Sequence, residues 1–142
     1  MPEPFATIDE DTIAALVHRF YDRVRADKLL GPVFEENIAD TAWPEHLARM
    51  CRFWSSVMLT TGRYSGNPVA VHRAVAGIAP ELFPHWLALF TATAADMFAP
   101  EPAARFADKA ARIAASLQTA VFYRPDARAD AASLRRPLTT PA

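Results

Sequence analysis

Cysteine is almost missing from this chain: Cys51 is the single one in 142 residues. A lone thiol can form neither an internal disulfide nor a cysteine-rich zinc site. Glycine is also scarce, with 4 residues. Together with the lack of any sustained polar–apolar alternation, this argues against a β-sandwich or barrel. There is no glycine-rich phosphate loop and no His-Glu-x-x-His metal motif. Charge of one sign is missing too. Lys and Arg number 15 against 16 Asp and Glu, for a net charge of −1, so neither a nucleic-acid footprint nor an acidic tail is expected. No apolar run approaches the roughly 20 residues of a membrane helix. The opening Met1-Pro2-Glu3-Pro4 has no basic region followed by an apolar stretch, so no signal peptide is read there and a cytoplasmic location is the default.

What remains is a globular composition, 51% apolar, of a length that suits one domain with a real core. Thr7-Ile8-Asp9-Glu10 has capping-box spacing for a helix start. The following Ile13, Leu16, Val17, Phe20, Tyr21 and Val24 fall on one helical face. Leu29-Leu30-Gly31-Pro32 is expected to end that helix, with a short turn carrying Val33, Phe34 and Ile38 behind it. Pro44 suits the first turn of a second helix, whose inner face is Leu47, Met50, Trp54, Val57 and Met58. That helix runs out at Thr60-Thr61-Gly62, and Arg63 to Pro68 reads as a loop. Val69 to Val75 allows one or two helical turns before Gly77 and Pro80 break them. Leu82, Phe83, Trp86, Leu89, Phe90 and Met97 mark a long helix. Pro100 and Pro102 separate it from a last one bearing Phe106, Ala110, Ile113, Leu117 and Val121. Residues 1–123 are read as the domain and 124–142, poor in large apolar residues, as a mobile tail. Four substantial helices with short pieces between them fit both a globin-like fold and a plain four-helix bundle.

Two histidines stand out. His46 shares the apolar stripe of the second helix, and His72 sits among Val69, Val71 and Val75. One helix and one loop separate them, enough chain to set two imidazoles on opposite sides of a flat cofactor. Imidazole is a common haem-iron ligand, and the lack of Cys-x-x-Cys-His excludes the usual covalent attachment of haem. Taken singly, each histidine is more often a satisfied core or surface residue than a ligand. His18 and His85 lie off the apolar stripes and read as surface residues. Tyr21 and Trp86 fit plain core packing, yet each carries a polar atom that needs a partner when buried. Cys51 reads as a small buried residue.

An ordered series of short motifs goes further. Phe20-Tyr21-Asp22-Arg23, Leu30-Gly31-Pro32-Val33-Phe34, Trp43-Pro44-Glu45-His46-Leu47, Met50, Phe53-Trp54, Gly62-Arg63-Tyr64-Ser65-Gly66-Asn67-Pro68, His72, Phe83, Trp86-Leu87 and Phe90 resemble, in that order, the truncated haemoglobins of group III. The resemblance spans about residues 7–123, and the glycine pairs of other truncated haemoglobins are absent. It implies an all-α, globin-like fold, a shortened two-on-two helical sandwich around non-covalent haem b. His72 would be the proximal iron ligand. Tyr21, His46 and Trp86 would be the polar distal residues, with His46 a second ligand in reach of the iron. Met50 would line the distal pocket, Phe34 and Phe53 would pack at the haem, and Arg49, Arg63 and Tyr64 would meet its propionates.

Three distal donors would hold bound O2 by charge-assisted hydrogen bonds and slow its release. Slow release fits bulk oxygen transport poorly. It fits NO dioxygenation or peroxide-type redox chemistry served by a reductase, and whether the chain is an enzyme stays open at this point. The alternatives are a non-catalytic oxygen store or gas sensor and, from another class, a cofactor-free helical interaction domain.

Overall fold

The structure is a computed structural model that describes residues 3–123; the tail expected over 124–142 lies outside the described residues. Six α-helices run in the order α1 (Glu10–Ala26), α2 (Leu30–Asn37), α3 (Trp43–Leu59), α4 (Pro68–Arg73), α5 (Leu82–Met97) and α6 (Pro100–Phe122). A 3-10 turn, Asp40–Ala42, leads into α3. No strand occurs among the described residues. An isolated bridge joins Phe5 to Phe98, pinning the segment before α1 to the α5–α6 junction.

The capping box is present but sits two residues later than Thr7-Ile8-Asp9-Glu10 suggests. The Asp9 carboxylate accepts the Thr12 N–H at 2.9 Å, and the Thr12 hydroxyl oxygen accepts the Asp9 N–H at 2.9 Å. Asp caps a helix at least as well as Thr, and its charge also meets the positive end of the helix. Thr7 contributes only a carbonyl, which accepts from the Thr12 hydroxyl.

Leu30-Gly31-Pro32 also behaves differently from the sequence expectation. These residues open a helix rather than merely closing one, so the expected short turn is the eight-residue α2. Asp27 explains the change. Its Oδ1 accepts the N–H groups of Leu29 and Leu30 at 2.9 and 2.8 Å, and Pro32 falls in the first turn, where its missing N–H costs nothing. A Cβ on Gly31 would lie 2.8 Å from the Arg25 carbonyl oxygen, so only glycine permits so tight a corner. Pro100 and Pro102 likewise form the first turn of α6 rather than a linker before it.

α3 stops at Thr60, which takes a left-handed conformation with φ 54°. α1 packs on α3, α2 and α5, while α5 packs on α6 and α4 rests on α6. The two helix pairs α1–α3 and α5–α6 are the layers of the expected sandwich. Their shared core holds Ile13, Leu16, Phe20, Val24, Trp54, Phe90 and Phe106, all nearly or fully buried. Phe90 lies between two indoles, with Trp54 at 4.8 Å and 11° and Trp86 at 5.4 Å and 7°. Arg23 adds a polar tie from α1 to α5, donating to the buried Thr93 hydroxyl at 3.1 Å and meeting Asp96 at 2.9 Å.

Candidate cofactor and ligand site

α1, α2 and the start of α3 bring four rings together. The His46 ring stands edge-on to Tyr21 at 5.0 Å and to Trp43 at 5.3 Å, with Phe34 at 6.5 Å. Phe34 also meets Tyr21 at 5.9 Å and stacks on Trp43 at 6.3 Å. Helical spacing produces this cage: Tyr21 lies on the inner stripe of α1, and His46 follows Trp43 by three residues, about one turn of α3.

The electrostatics of the cage are unusual. His46 Nε2 and Trp43 Nε1 are buried without any hydrogen-bond partner among the described residues. Buried polar atoms are nearly always paired, and an unpaired one costs free energy. Burial first, then the neighbouring Arg49 and His72, together lower the His46 pKa from 6.5 to about 4. His46 is therefore neutral at physiological pH, and His72 is near enough to be felt by it. Burial also raises the Tyr21 hydroxyl well above the usual tyrosine range, so it stays a protonated donor.

His72 lies in the last turn of α4. Asn67 caps this short helix, accepting the Ala70 N–H at 3.1 Å. His72 Nδ1 donates to the Pro68 carbonyl at 2.7 Å. A carbonyl can only accept, so in the neutral ring the proton sits on Nδ1 and Nε2 keeps the lone pair. That arrangement is typical of metal-ligating imidazole. The nearest ring to His72 is Phe83 at 6.3 Å.

The remaining expected residues distribute less evenly. Trp86 does not join the His46 cage directly. It reaches it through Phe20, 5.6 Å from Trp86 and 5.0 Å from Tyr21. Met50 is half-buried against the core. Phe53 stands edge-on to Trp54 and, at 5.2 Å, to Tyr64. Ser56 fixes that loop, its hydroxyl oxygen accepting the Tyr64 N–H at 2.8 Å. Arg49 and Arg63 are exposed and lie 3.7 Å from Glu45 and 3.8 Å from Glu10. Cys51 is half-buried, and burial raises its pKa.

His18 is exposed, as its place off the stripe implies. His85 is more engaged than a plain surface residue. Its Nε2 lies 2.8 Å from Asp27 Oδ2 and ties α5 to the corner before α2. Burial alone would raise the Asp27 pKa, but the Leu30 N–H, His85 and the Leu29 N–H outweigh it and hold the carboxyl below its ordinary value of 3.8. Trp43 is the cage residue that its sequence stripe undervalues. It precedes Leu47, Met50 and Trp54 by steps of four, three and four, a periodicity that would have placed it on the inner face.

These residues suit a flat iron-bearing group better than a bare ion. Among the described residues no cluster of three or more His, Cys, Asp or Glu could hold a metal by itself. A haem would need one oriented imidazole from the protein, and His72, with its Nε2 lone pair free, has the chemistry to supply it. The unpartnered His46 nitrogen then has something to address.

No family model matches the chain. A curated relative, the group 3 truncated haemoglobin ctb of Campylobacter jejuni subsp. jejuni serotype O:2, is 41% identical over 88 residues, covering 61% of this chain and 69% of that protein. The crystal structure of the group III truncated haemoglobin from Campylobacter jejuni superposes with a TM-score of 0.79 at 34% identity, covering 84% of this chain and 96% of that one. Sequence identity at this level over most of the relative and a shared helix arrangement together leave one conclusion, that the chain belongs to the group III truncated haemoglobins.

Proposed function

We propose that this globin holds non-covalent haem b through His72 Nε2 and binds O2 or another diatomic ligand on the opposite, distal side. The observation that carries the reading is the His46 cage: a neutral imidazole with a buried, unpartnered nitrogen, pressed against Tyr21. A cost of this kind is kept where a ligand relieves it. Haem would supply the iron that binds the ligand and accepts or donates the electron. The chain's own part is to orient one imidazole on α4 and to set hydrogen-bond donors around the ligand.

The Tyr21 hydroxyl remains protonated because of its burial, so it donates without any change of charge. His46 donates from whichever nitrogen carries its proton. Trp86, held flat on Phe90, offers an indole N–H from α5. Arg49, Arg63 and Tyr64 are the propionate partners in this reading, and Phe34, Met50 and Phe53 the apolar lining. Charge-assisted bonds from several donors slow ligand release, which favours dioxygenation of NO or peroxide chemistry in the cytoplasm, with a reductase restoring the iron, over oxygen storage, sensing or transport.

The test is direct. Haem-loaded protein is mixed with a dithionite-free O2 scavenger in a stopped flow, and O2 release is compared for the wild type, Tyr21→Phe and Trp86→Phe. Loss of one hydrogen bond to a polarised ligand speeds release by about 10- to 150-fold. CO, with less charge on its outer atom, responds less. Unchanged O2 release in both variants would show that the two residues only pack, and would remove the distal network. Steady NO consumption with a supplied reductant separates the enzyme from the oxygen store.

A further inference from the structure

α4 is well started, capped by Asn67 and opened by Pro68, but it has little hold on the core. It has six residues and buries none of them, and Val71 is 59% exposed. Helices this short are unstable alone, and the chain's own core covers this one only in part, at Pro68, Val69 and His72. Yet the segment carries His72, and an iron ligand must sit at a fixed height and rotation. Something else has to fix it.

Two polar tethers flank the histidine. Arg73 donates to the Ala120 carbonyl at 2.6 Å. Ala120 is in the last turn of α6, where carbonyls lack helical partners and the helix end is negative. On the other side Asn37, the last residue of α2, grips the backbone of Ala76. Its Nδ2 donates to the Ala76 carbonyl at 3.0 Å, and its Oδ1 accepts the Ala76 N–H at 3.0 Å. The second Nδ2 hydrogen goes back to the Val33 carbonyl at 2.7 Å, so the carboxamide uses both donors and its acceptor. Phe34 stands on the same helix, one turn before Asn37, and is one of the four rings of the His46 cage. α2 thus links the cage to the segment that bears His72.

We propose that Asn37 and Arg73 are positioning residues for the His72 imidazole, fixing α4 between the ends of α2 and α6. The inference rests on the reading of His72 as the iron ligand. Asn37 further couples the placement of that ligand to the rings around His46. Neither side chain touches the cofactor in this assignment; each acts through the backbone of residues 73–76.

The experiment follows the iron–imidazole stretching band of the ferrous, ligand-free, haem-loaded full chain by resonance Raman. Asn37→Ala and Arg73→Met are each expected to shift or broaden the band and to speed haem transfer to an acceptor globin about tenfold, a factor equal to about 1.4 kcal/mol. Asn37→Asp keeps an acceptor for the Ala76 N–H but turns a carboxylate oxygen on the Val33 and Ala76 carbonyls, so its shift should be at least as large as that of Asn37→Ala. The decisive arm uses His72→Gly with imidazole supplied in solution. There the ligand is no longer joined to α4, and adding Asn37→Ala or Arg73→Met should leave the band where it was. A band that stays put in the tethered single variants overturns the inference. So does a band that moves equally with free imidazole, because the effect would then not pass through the backbone. If His72→Gly alone keeps its iron–imidazole band without added imidazole, the reading of His72 falls, and the inference with it. Should Asn37→Ala not fold, Arg73→Met carries the same test from the α6 side.

Discussion

Replacing His46 with phenylalanine separates a histidine held at a cost from one that merely packs. The new ring keeps the edge-on neighbours Tyr21 and Trp43 and removes the buried, unpartnered Nε2. Leaving such an atom unpaired costs about 1–3 kcal/mol, and the slightly larger ring takes back about 1 kcal/mol through crowding. His46→Phe should therefore stabilise the cofactor-free protein by about 1 kcal/mol at pH 7. The margin should widen in acid. Burial holds the folded His46 pKa at about 4 against 6.5 when unfolded. Below 6.5 the unfolded chain binds a proton that the folded chain refuses, so wild-type stability is complete above that pH and declines as pH falls toward 4. Full linkage at pH 5 would amount to about 2 kcal/mol, and the ring's partial exposure to solvent reduces this to about 1 kcal/mol. Urea unfolding followed by circular dichroism at pH 7 and pH 5, on both proteins without haem, measures each quantity. A variant less stable than wild type at both pH values would refute the reasoning, since the histidine would then be a satisfied member of the core. A margin that fails to grow in acid would refute the account of its titration.

Asp27→Ala removes the cap of α2 and the partner of His85 together, and should cost about 1–2 kcal/mol in thermal unfolding. The wild-type contribution of Asp27 is present above the ordinary carboxyl pKa of 3.8 and is lost only as pH falls below it, so the gap between the two proteins should be flat from neutral pH down to about that point and then close. Phe90→Ala opens a void between two indoles at a fully buried position and should cost about 3–5 kcal/mol, read as the urea midpoint times the slope; a loss below about 1 kcal/mol would mean that Trp54 and Trp86 close over the gap.

Much of the fold is legible because long amphipathic helices announce themselves. Ile13, Leu16, Val17, Phe20, Tyr21 and Val24 are read as one face, and all are buried. The boundaries were harder, for a specific reason. Glycine and proline mark the corner at Leu30-Gly31-Pro32, but the same residues can close one helix or open the next. The side chain that decides is Asp27, which caps α2 from outside the glycine–proline pair. Thr7 misleads in the same way, because Thr-x-x-Glu spacing fits the capping box while Asp9 two residues later fits it better.

The site is legible in a different proportion. Family resemblance names Tyr21, His46, Trp86 and His72, and three of the four lie in or beside one electrostatic environment: Tyr21 against His46, and His72 near enough to lower its pKa. What a linear reading does not supply is the support beneath them. Asn37 and Arg73 are exposed polar residues on helix ends, with no periodic signal to single them out. Their partners are backbone atoms of Ala76 and Ala120, and backbone contacts leave no mark on the residue types that make them. The residues that face a ligand are constrained by its chemistry and therefore recur as motifs. Those that hold the facing residues in place are constrained by distance alone, and only a three-dimensional structure brings Asn37 and Arg73 to the two sides of the histidine they flank.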